Sequence, residues 1–589
     1  MPPKDFSRRK FVSHGALAGA GAFVVSGKRS VEISAQKKPA SASSVASALF
    51  DLVRGPDSVT AYDGPTAVQL SQSGSKWSAG GITVTTEPRP GDLGALTLPV
   101  TLVAPQRSLS RIHLRWRIRV TSGLRFLGDH WERGYGDLEW RALVAERVMP
   151  WYFLAHDGRV THGYGVQSAS KAMAFWRVDD AGISLWLDVR NGGSAVLLGE
   201  RTLEACTIVT REGREPESPW QAARAFCALM CAAPRLPSAP VYGGNNWYYA
   251  YGENCSARSV ERDADLLADL AGSTVNRPFQ VIDDGWQIAS LGTGCCSGGP
   301  WRYGNAGFPD MPGLATRLKA MGVRPGIWMR PLLTHERGTE AWTLKRPQSP
   351  GREGRLLDPT IPEVRERIRS DIAGLVAWGY ELVKHDFSTF DLFGRWGGRM
   401  GGSLTDEGWS FADRSRTTAE IARDVYKAIR EGASERTLII GCNTIGHLAA
   451  GLVELQRTGD DTSGREWERT RRMGVNTLAF RGTQHGKFFA ADADCVGLTM
   501  AVPWALNKQW LDLLARSGAP LFVSAAPDAV GAEQKRALRE AFTHASVVQP
   551  MAEPLDWLET TAPERWRVSG ETITYDWYQA KGIEVVESR

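Results

Sequence analysis

From about residue 48 to 235 the chain alternates apolar and polar residues with a period of two. Residues 82–86, 96–102, 112–120 and 182–189 each send every second side chain to one face, with Gly, Pro and Asp between the runs. Strands buried on one face have this pattern, so the segment predicts an antiparallel β-sandwich. Residues 220–231 then take a helical spacing, and the texture changes. From about 240 to 530 short apolar runs alternate with amphipathic stretches. The runs are 241–244, 279–283, 324–328, 380–384, 437–441, 452–456, 488–491 and 520–523. Helical segments between them include 259–271, 313–321, 364–378 and 417–431. Eight strands alternating with helices over such a length predict a (β/α)8 TIM barrel. An open doubly wound sheet would carry a G-x-G-x-x-G turn after its first strand, and none is present. Short strand-like runs return in a small C-terminal β region, 545–589. The fold class expected is therefore multidomain α/β.

Residues 1–47 read as a signal and leader. Ser7-Arg8-Arg9-Lys10-Phe11-Val12 has the order of a twin-arginine export signal, and an Ala- and Gly-rich apolar run follows it. That run is too short to span a bilayer permanently, and no Cys follows it. The expectation is an exported protein, periplasmic or extracellular, with no membrane anchor.

Composition changes this picture little. The chain has 589 residues, 42% of them hydrophobic and 23% charged, which suits two or three globular domains. A formal net charge of +5 is small for this length and gives no reason to expect a nucleic-acid partner. The 22 Trp stand out. An indole offers a flat apolar face and one N–H donor, which suits a sugar ring, although packing accounts for most of them. Eight Cys in so long a chain make no disulfide scaffold and no zinc motif. The adjacent Cys295 and Cys296 in a Gly-rich loop leave a vicinal disulfide open.

Function in such a barrel sits at the C-terminal ends of the strands. Strand two ends in Asp283-Asp284-Gly285-Trp286-Gln287, strand four in Lys384-His385-Asp386, and strand five in Gly441-Cys442-Asn443. Strand six leads into Arg457-Thr458-Gly459-Asp460-Asp461. Glycoside hydrolysis needs two carboxyl groups, one to attack and one to give a proton to the leaving oxygen. Asp386 is the candidate nucleophile. Lys384 lies two residues before it on the same strand face, so its ammonium is expected beside Asp386. His385 is expected to point away, toward the helices. Asp460 is the candidate acid/base, with Asp461 supplying like-charge repulsion and remaining an alternative for the role. Asp283 and Asp284 are expected to accept hydrogen bonds from sugar hydroxyls, and Trp286 to offer a flat face. Asp492 and Asp494 share a face if strand seven continues; they are read as a polar rim in preference to a metal site.

Taken in order, these segments resemble the clan D glycoside hydrolases, the α-galactosidase clan, with family 36 and the raffinose synthase-like proteins nearest. Asp283-Asp284-Gly285-Trp286 resembles the strand-two D-D-G-W motif. Gly244-Asn245-Asn246-Trp247-Tyr248 resembles the strand-one G-W-N-x-W segment, with Asn at its first Trp. Gly326-Ile327-Trp328-Met329-Arg330-Pro331 resembles G-L-W-x-x-P. Lys384-His385-Asp386 resembles the K-x-D that carries the nucleophile. Gly441-Cys442-Asn443 resembles G-C-S, and Arg457 to Asp461 resembles R/W-x-S-D-D/N, which carries the acid/base. The resemblance spans about 240 to 465. It implies a retaining, exo-acting hydrolase of terminal α-galactosides or closely related α-glycosides, acting on an oligosaccharide or glycoconjugate. It also implies substrate contacts from Trp247, Trp328, Lys384, Cys442, Arg457 and Asp461, and no metal or nucleotide cofactor. A raffinose synthase-like α-galactosyltransferase and an α-N-acetylgalactosaminidase stay open as alternatives; the presence of both acids speaks against a non-catalytic glycan-binding barrel. Two departures bear on the sugar. Asn443-Thr444-Ile445-Gly446 replaces a G-G-G-R continuation, and Phe387-Ser388 replaces Asn-Arg after the nucleophile. Nothing in the sequence sets the oligomeric state.

Overall fold

The computed structural model describes residues 50–91, 96–290, 296–347 and 354–578. The twin-arginine segment and Cys295 lie outside them. The period-two runs form two antiparallel sheets, one of six strands and one of nine. Strand Arg111–Arg117 shows why. Ile112, Leu114 and Trp116 are fully buried, while Arg111, His113 and Arg115 take the other face. Leu114 pairs with Leu185 and Trp116 with Ile183 on the neighbouring strand, so apolar side chains meet across the register. Trp116 and Trp176 pack 6.2 Å apart in this core. Their indole N–H groups donate to the Leu52 and Trp151 carbonyls at 3.0 and 3.1 Å, which satisfies the polar atom each ring buries.

The barrel strands are Tyr242–Asn245, Phe279–Ile282, Arg324–Met329, Leu382–His385, Leu438–Gly441, Leu455–Arg457, a broken seventh, and Leu521–Ala525. All pair in parallel. Ala490–Asp492 pairs with strand six and Cys495–Leu498 with strand eight, so the two halves of strand seven close the ring. The break falls at Asp494, whose φ of 73° lies in the left-handed region. Helices cover the outside, and their ends are encoded locally. Thr417 caps Thr418–Gly432 through a reciprocal box with Glu420, and Ile421, Val425 and Ile429 face inward. After strand six a short turn Trp467–Thr470 runs into a π-helical stretch, Arg471–Asn476, and then Thr477–Arg481. A three-stranded antiparallel sheet is the last one among the described residues, with Trp566 buried in it.

One connection of the β domain leaves its own sheets. After strand Arg125–Gly128 the chain runs to the barrel. Trp131 Nε1 donates to the Gly401 carbonyl at 2.8 Å, Gly134 forms a parallel bridge with Gly459, and Asn476 Nδ2 reaches the Leu138 carbonyl at 2.8 Å.

Candidate active site

Asp386 stands just beyond strand four. Its amide donates to the Met329 carbonyl at 2.9 Å, which ties it to the end of strand three. Phe387 then turns left-handed, with φ 62°, and its own amide reaches back to Asp386 Oδ1 at 2.7 Å. Trp328 Nε1 donates to the other oxygen, Oδ2, at 3.3 Å. Two fixed donors on two different strand ends therefore set the plane of this buried carboxyl group.

Lys384 sits elsewhere than its spacing predicts. Its Nζ meets Asp283 Oδ2 at 2.6 Å. Inward side chains of alternate barrel strands share a layer, so strand four faces strand two. Asp386 lies two residues further along and belongs to the next layer toward the mouth. Burial, the largest single influence, would lower the Lys384 pKa; the Asp283 carboxylate, together with Cys442 and Asp494, outweighs it and holds the group above its usual value. Asp283 also accepts from Asn245 Nδ2 at 2.8 Å and from the Asp284 amide at 2.9 Å. Protein donors thus occupy both of its oxygens. Asp284 accepts from Gln287 Nε2 at 2.7 Å and from the Cys296 amide. Cys296 is disulfide-bonded, whereas Cys206, Cys227, Cys231, Cys255, Cys442 and Cys495 are free.

Three tryptophans mark the same end of the barrel. Trp286 is fully buried, donates to the Trp328 carbonyl at 2.9 Å, and packs against Trp301 and Trp378. Its ring is wall, not an open platform. Trp328 is also fully buried and presents its N–H to Asp386. Trp247 opens a short helix after strand one and packs against Tyr251. His385 points outward, with Nδ1 3.1 Å from Ser388 Oγ; burial pushes it down to about 4.

Strands five to seven supply the other side. Burial, and then the Asp386 charge, push the Cys442 thiol up, which keeps it protonated beside Asp386. Arg457 Nη1 lies 3.5 Å from Cys442 Sγ, and its Nη2 contacts Asp494 at 2.6 Å and Asp461 at 3.5 Å. Asp494 also accepts from the Tyr248 hydroxyl and from the Thr462 amide. Strand seven does not continue through Asp494, so the condition for a shared strand face is not met; Asp492 and Asp494 nonetheless line one small cavity with Asn245, Lys384 and Arg457, and the Asp494 amide donates to Asp492 Oδ1 at 2.9 Å. Burial pushes Asp492 up to about 6, with Arg457 working in the opposite direction. Asp460 is the more exposed acid. Its Oδ1 meets Arg133 Nη2 at 2.7 Å, and its Oδ2 meets Arg469 Nη2 at 2.9 Å.

Sequence reasoning missed Glu132, Arg133, Trp396 and Arg469. Glu132 is fully buried and accepts from Asn443 Nδ2, the Tyr135 hydroxyl and the Gly397 amide at 3.0 Å; burial pushes its carboxyl up. The Arg133 guanidinium lies over the Trp396 ring, 5.2 Å from its centre, and Trp396 packs on Phe387. The one local signal is a charged pair between aromatic residues and glycines, Trp131-Glu132-Arg133-Gly134-Tyr135-Gly136, in a stretch without alternation. Among the described residues no group of His, Cys, Asp and Glu is arranged to hold a metal ion.

No family model and no curated protein matches the chain. Solved structures do. An α-galactosidase from Thermus thermophilus, TtGalA, in complex with p-nitrophenyl α-D-galactopyranoside superposes with a TM-score of 0.58 at 17% identity, over 84% of this chain and 97% of that one. The family 36 α-galactosidase AgaA from Geobacillus stearothermophilus in complex with raffinose gives 0.53 at 14% identity, over 86% and 78%. A family 31 dextranase from Flavobacterium johnsoniae, complexed with glucose, gives 0.51 at 11% identity, over 87% and 68%. The chain has the multidomain fold of these glycoside hydrolases.

Proposed function

We propose that the protein is a retaining, exo-acting glycoside hydrolase that releases terminal α-galactose, or a closely related α-linked sugar, from an oligosaccharide or glycoconjugate. The observation that carries this reading is the Asp386 carboxyl group, held at the barrel mouth by Trp328 Nε1 and the Phe387 amide. An oxygen in that position attacks C1 of the sugar to form a glycosyl-enzyme, and Asp460 protonates the departing oxygen. Asp460, now ionised, then takes a proton from the water that releases the sugar with its configuration retained. Glu132 and Arg133 lie buried against strands five and six. We read this pair as closing that side of the mouth, which supports action on a chain end. Structural neighbours solved with p-nitrophenyl α-D-galactopyranoside, stachyose and raffinose support the choice of sugar.

The test is hydrolysis of p-nitrophenyl α-D-galactopyranoside followed by proton NMR. The first-formed galactose should be the α anomer. A β anomer, or no turnover of α-galactosides beside turnover of another α-glycoside, overturns the mechanism or the sugar respectively. Export by the twin-arginine route is part of the same reading. Arg8→Lys together with Arg9→Lys should trap precursor in the cytoplasm, and unchanged export of that variant would refute it.

A further inference from the structure

The β domain delivers one guanidinium into the candidate active site. Arg133 is only 2% exposed, and its Nη2 lies 2.7 Å from Asp460 Oδ1. The backbone makes the same junction. The Gly134 amide donates to the Thr458 carbonyl at 2.7 Å, and the Asp460 amide donates to the Gly134 carbonyl at 3.0 Å. Residues 133 and 460 are therefore neighbours in both main chain and side chain. Gly134 permits this approach. A Cβ there would stand 2.9 Å from Thr477 Cγ2 and 3.4 Å from the Thr458 carbonyl. The Arg133 side chain is braced by Trp396 beneath it and by Glu132, 3.8 Å from Nε. Burial works against its charge, but Asp460, Tyr135, Glu132 and Cys442 together hold it in the charged form. Glu132 is in turn tied to Asn443, and Trp396 to Phe387. Asn443 and Phe387 are the two places where the sequence departs from the family 36 pattern around the sugar.

The two partners of Asp460 differ. Arg133 is enclosed, whereas Arg469, on Oδ2, is one-quarter exposed. A carboxyl group that gives a proton to a leaving oxygen must present one oxygen outward and have the other held. We propose that Arg133 is a positioning residue for Asp460, brought from the N-terminal β domain to fix Oδ1, so that Oδ2, held here only by the more exposed Arg469, is the oxygen turned to the leaving group. This rests on the reading of Asp460 as acid/base. It makes the β domain part of the catalytic machinery, because the barrel alone lacks this anchor.

The experiment compares Arg133→Met, Arg133→Lys, Asp460→Ala and the Arg133→Met/Asp460→Ala double variant on aryl α-galactosides of graded leaving-group acidity. Asp460→Ala should lose about 10²–10⁴-fold on poor leaving groups and far less on nitrophenolates. Arg133→Met should share that bias, with a loss of about 10–100-fold in kcat on the poor substrates and little change in KM. Arg133→Lys should recover part of the loss, and the double variant should be no worse than Asp460→Ala. If Arg133→Met does not fold, Arg133→Lys is read on the same series and should show the same bias at smaller size. An equal loss on all leaving groups, or a double variant whose losses multiply, overturns the positioning role while the acid/base reading stands. Absence of leaving-group bias in Asp460→Ala overturns both.

Discussion

Trp328 Nε1 and the Phe387 amide hold the two oxygens of Asp386 from different strand ends, and the indole contact can be removed alone. Trp286 bonds the Trp328 carbonyl and not its side chain, so Trp328→Phe leaves that link intact. A hydrogen bond to a charged group is worth about 1.5–3 kcal/mol. Trp328→Phe should therefore lower kcat/KM by about 10–100-fold with the fold retained by circular dichroism. Unchanged kinetics would count against Asp386 as the reacting group. The strand-end acids were legible because a (β/α)8 barrel sends its chemistry to those positions, and the K-x-D and R-x-x-D-D spacings sit there. Lys384 was misplaced because spacing along one strand gives the face a side chain takes, not which strand lies across the layer. The barrel's layering pairs strand four with strand two, and Lys384 accordingly meets Asp283.

The segment after strand six was the least legible element. No element is read there from the sequence, and the chain forms a π-helical stretch at Arg471–Asn476. Such stretches cluster at functional sites. Gly459 is the reason it can lie so close. A Cβ at this position would stand 2.1 Å from the Met473 carbonyl. The motif that Gly459 departs from has Ser there, so Gly459→Ser is a direct probe. Overpacking against backbone costs about 1–3 kcal/mol. The variant should melt several degrees lower; a Tm equal to wild type would contradict the packing. The break in strand seven was equally hidden, because Asp494 takes a left-handed conformation that no glycine announces. Its neighbour Asp492 gives a pH test. Burial raises this carboxyl from 3.8 to about 6, so the folded state binds its proton more tightly than the unfolded chain does. The associated stability is fully present below about pH 4 and is lost as pH rises through about 6, by about 3 kcal/mol in order of magnitude. Asp492→Asn stays neutral throughout. The Tm of this variant relative to wild type should rise between pH 4 and pH 7; a pH-independent difference would show that Asp492 is not held in a raised range.

The β domain and the barrel meet through several segments, and the junction nearest the candidate acids, residues 131–136, was beyond the reach of sequence periodicity. Alternation shows which residues of a strand face a core; it is silent on a non-repeating loop that crosses to another domain. Residues 131–136 carry no strand or helix pattern, yet Trp131, Glu132, Arg133 and Gly134 bond the barrel at Gly401, Asn443, Asp460 and Thr458. Part of the tryptophan excess also resolves at this level, since Trp116, Trp151, Trp176, Trp286, Trp510, Trp566 and Trp577 are fully buried packing residues. The sandwich, the barrel and the C-terminal sheet were legible because each repeats a local pattern. The double displacement proposed across the barrel mouth rests on two acids, and azide probes both in one assay. With an activated aryl α-galactoside, Asp460→Ala should still form its glycosyl-enzyme, and azide should intercept it as the α-galactosyl azide. Asp386→Ala should form no such intermediate, and azide entering the vacated side should give the β-galactosyl azide by a single displacement. The same anomer from both variants, or a β product from Asp460→Ala, would contradict Asp386 as the nucleophile and Asp460 as its partner.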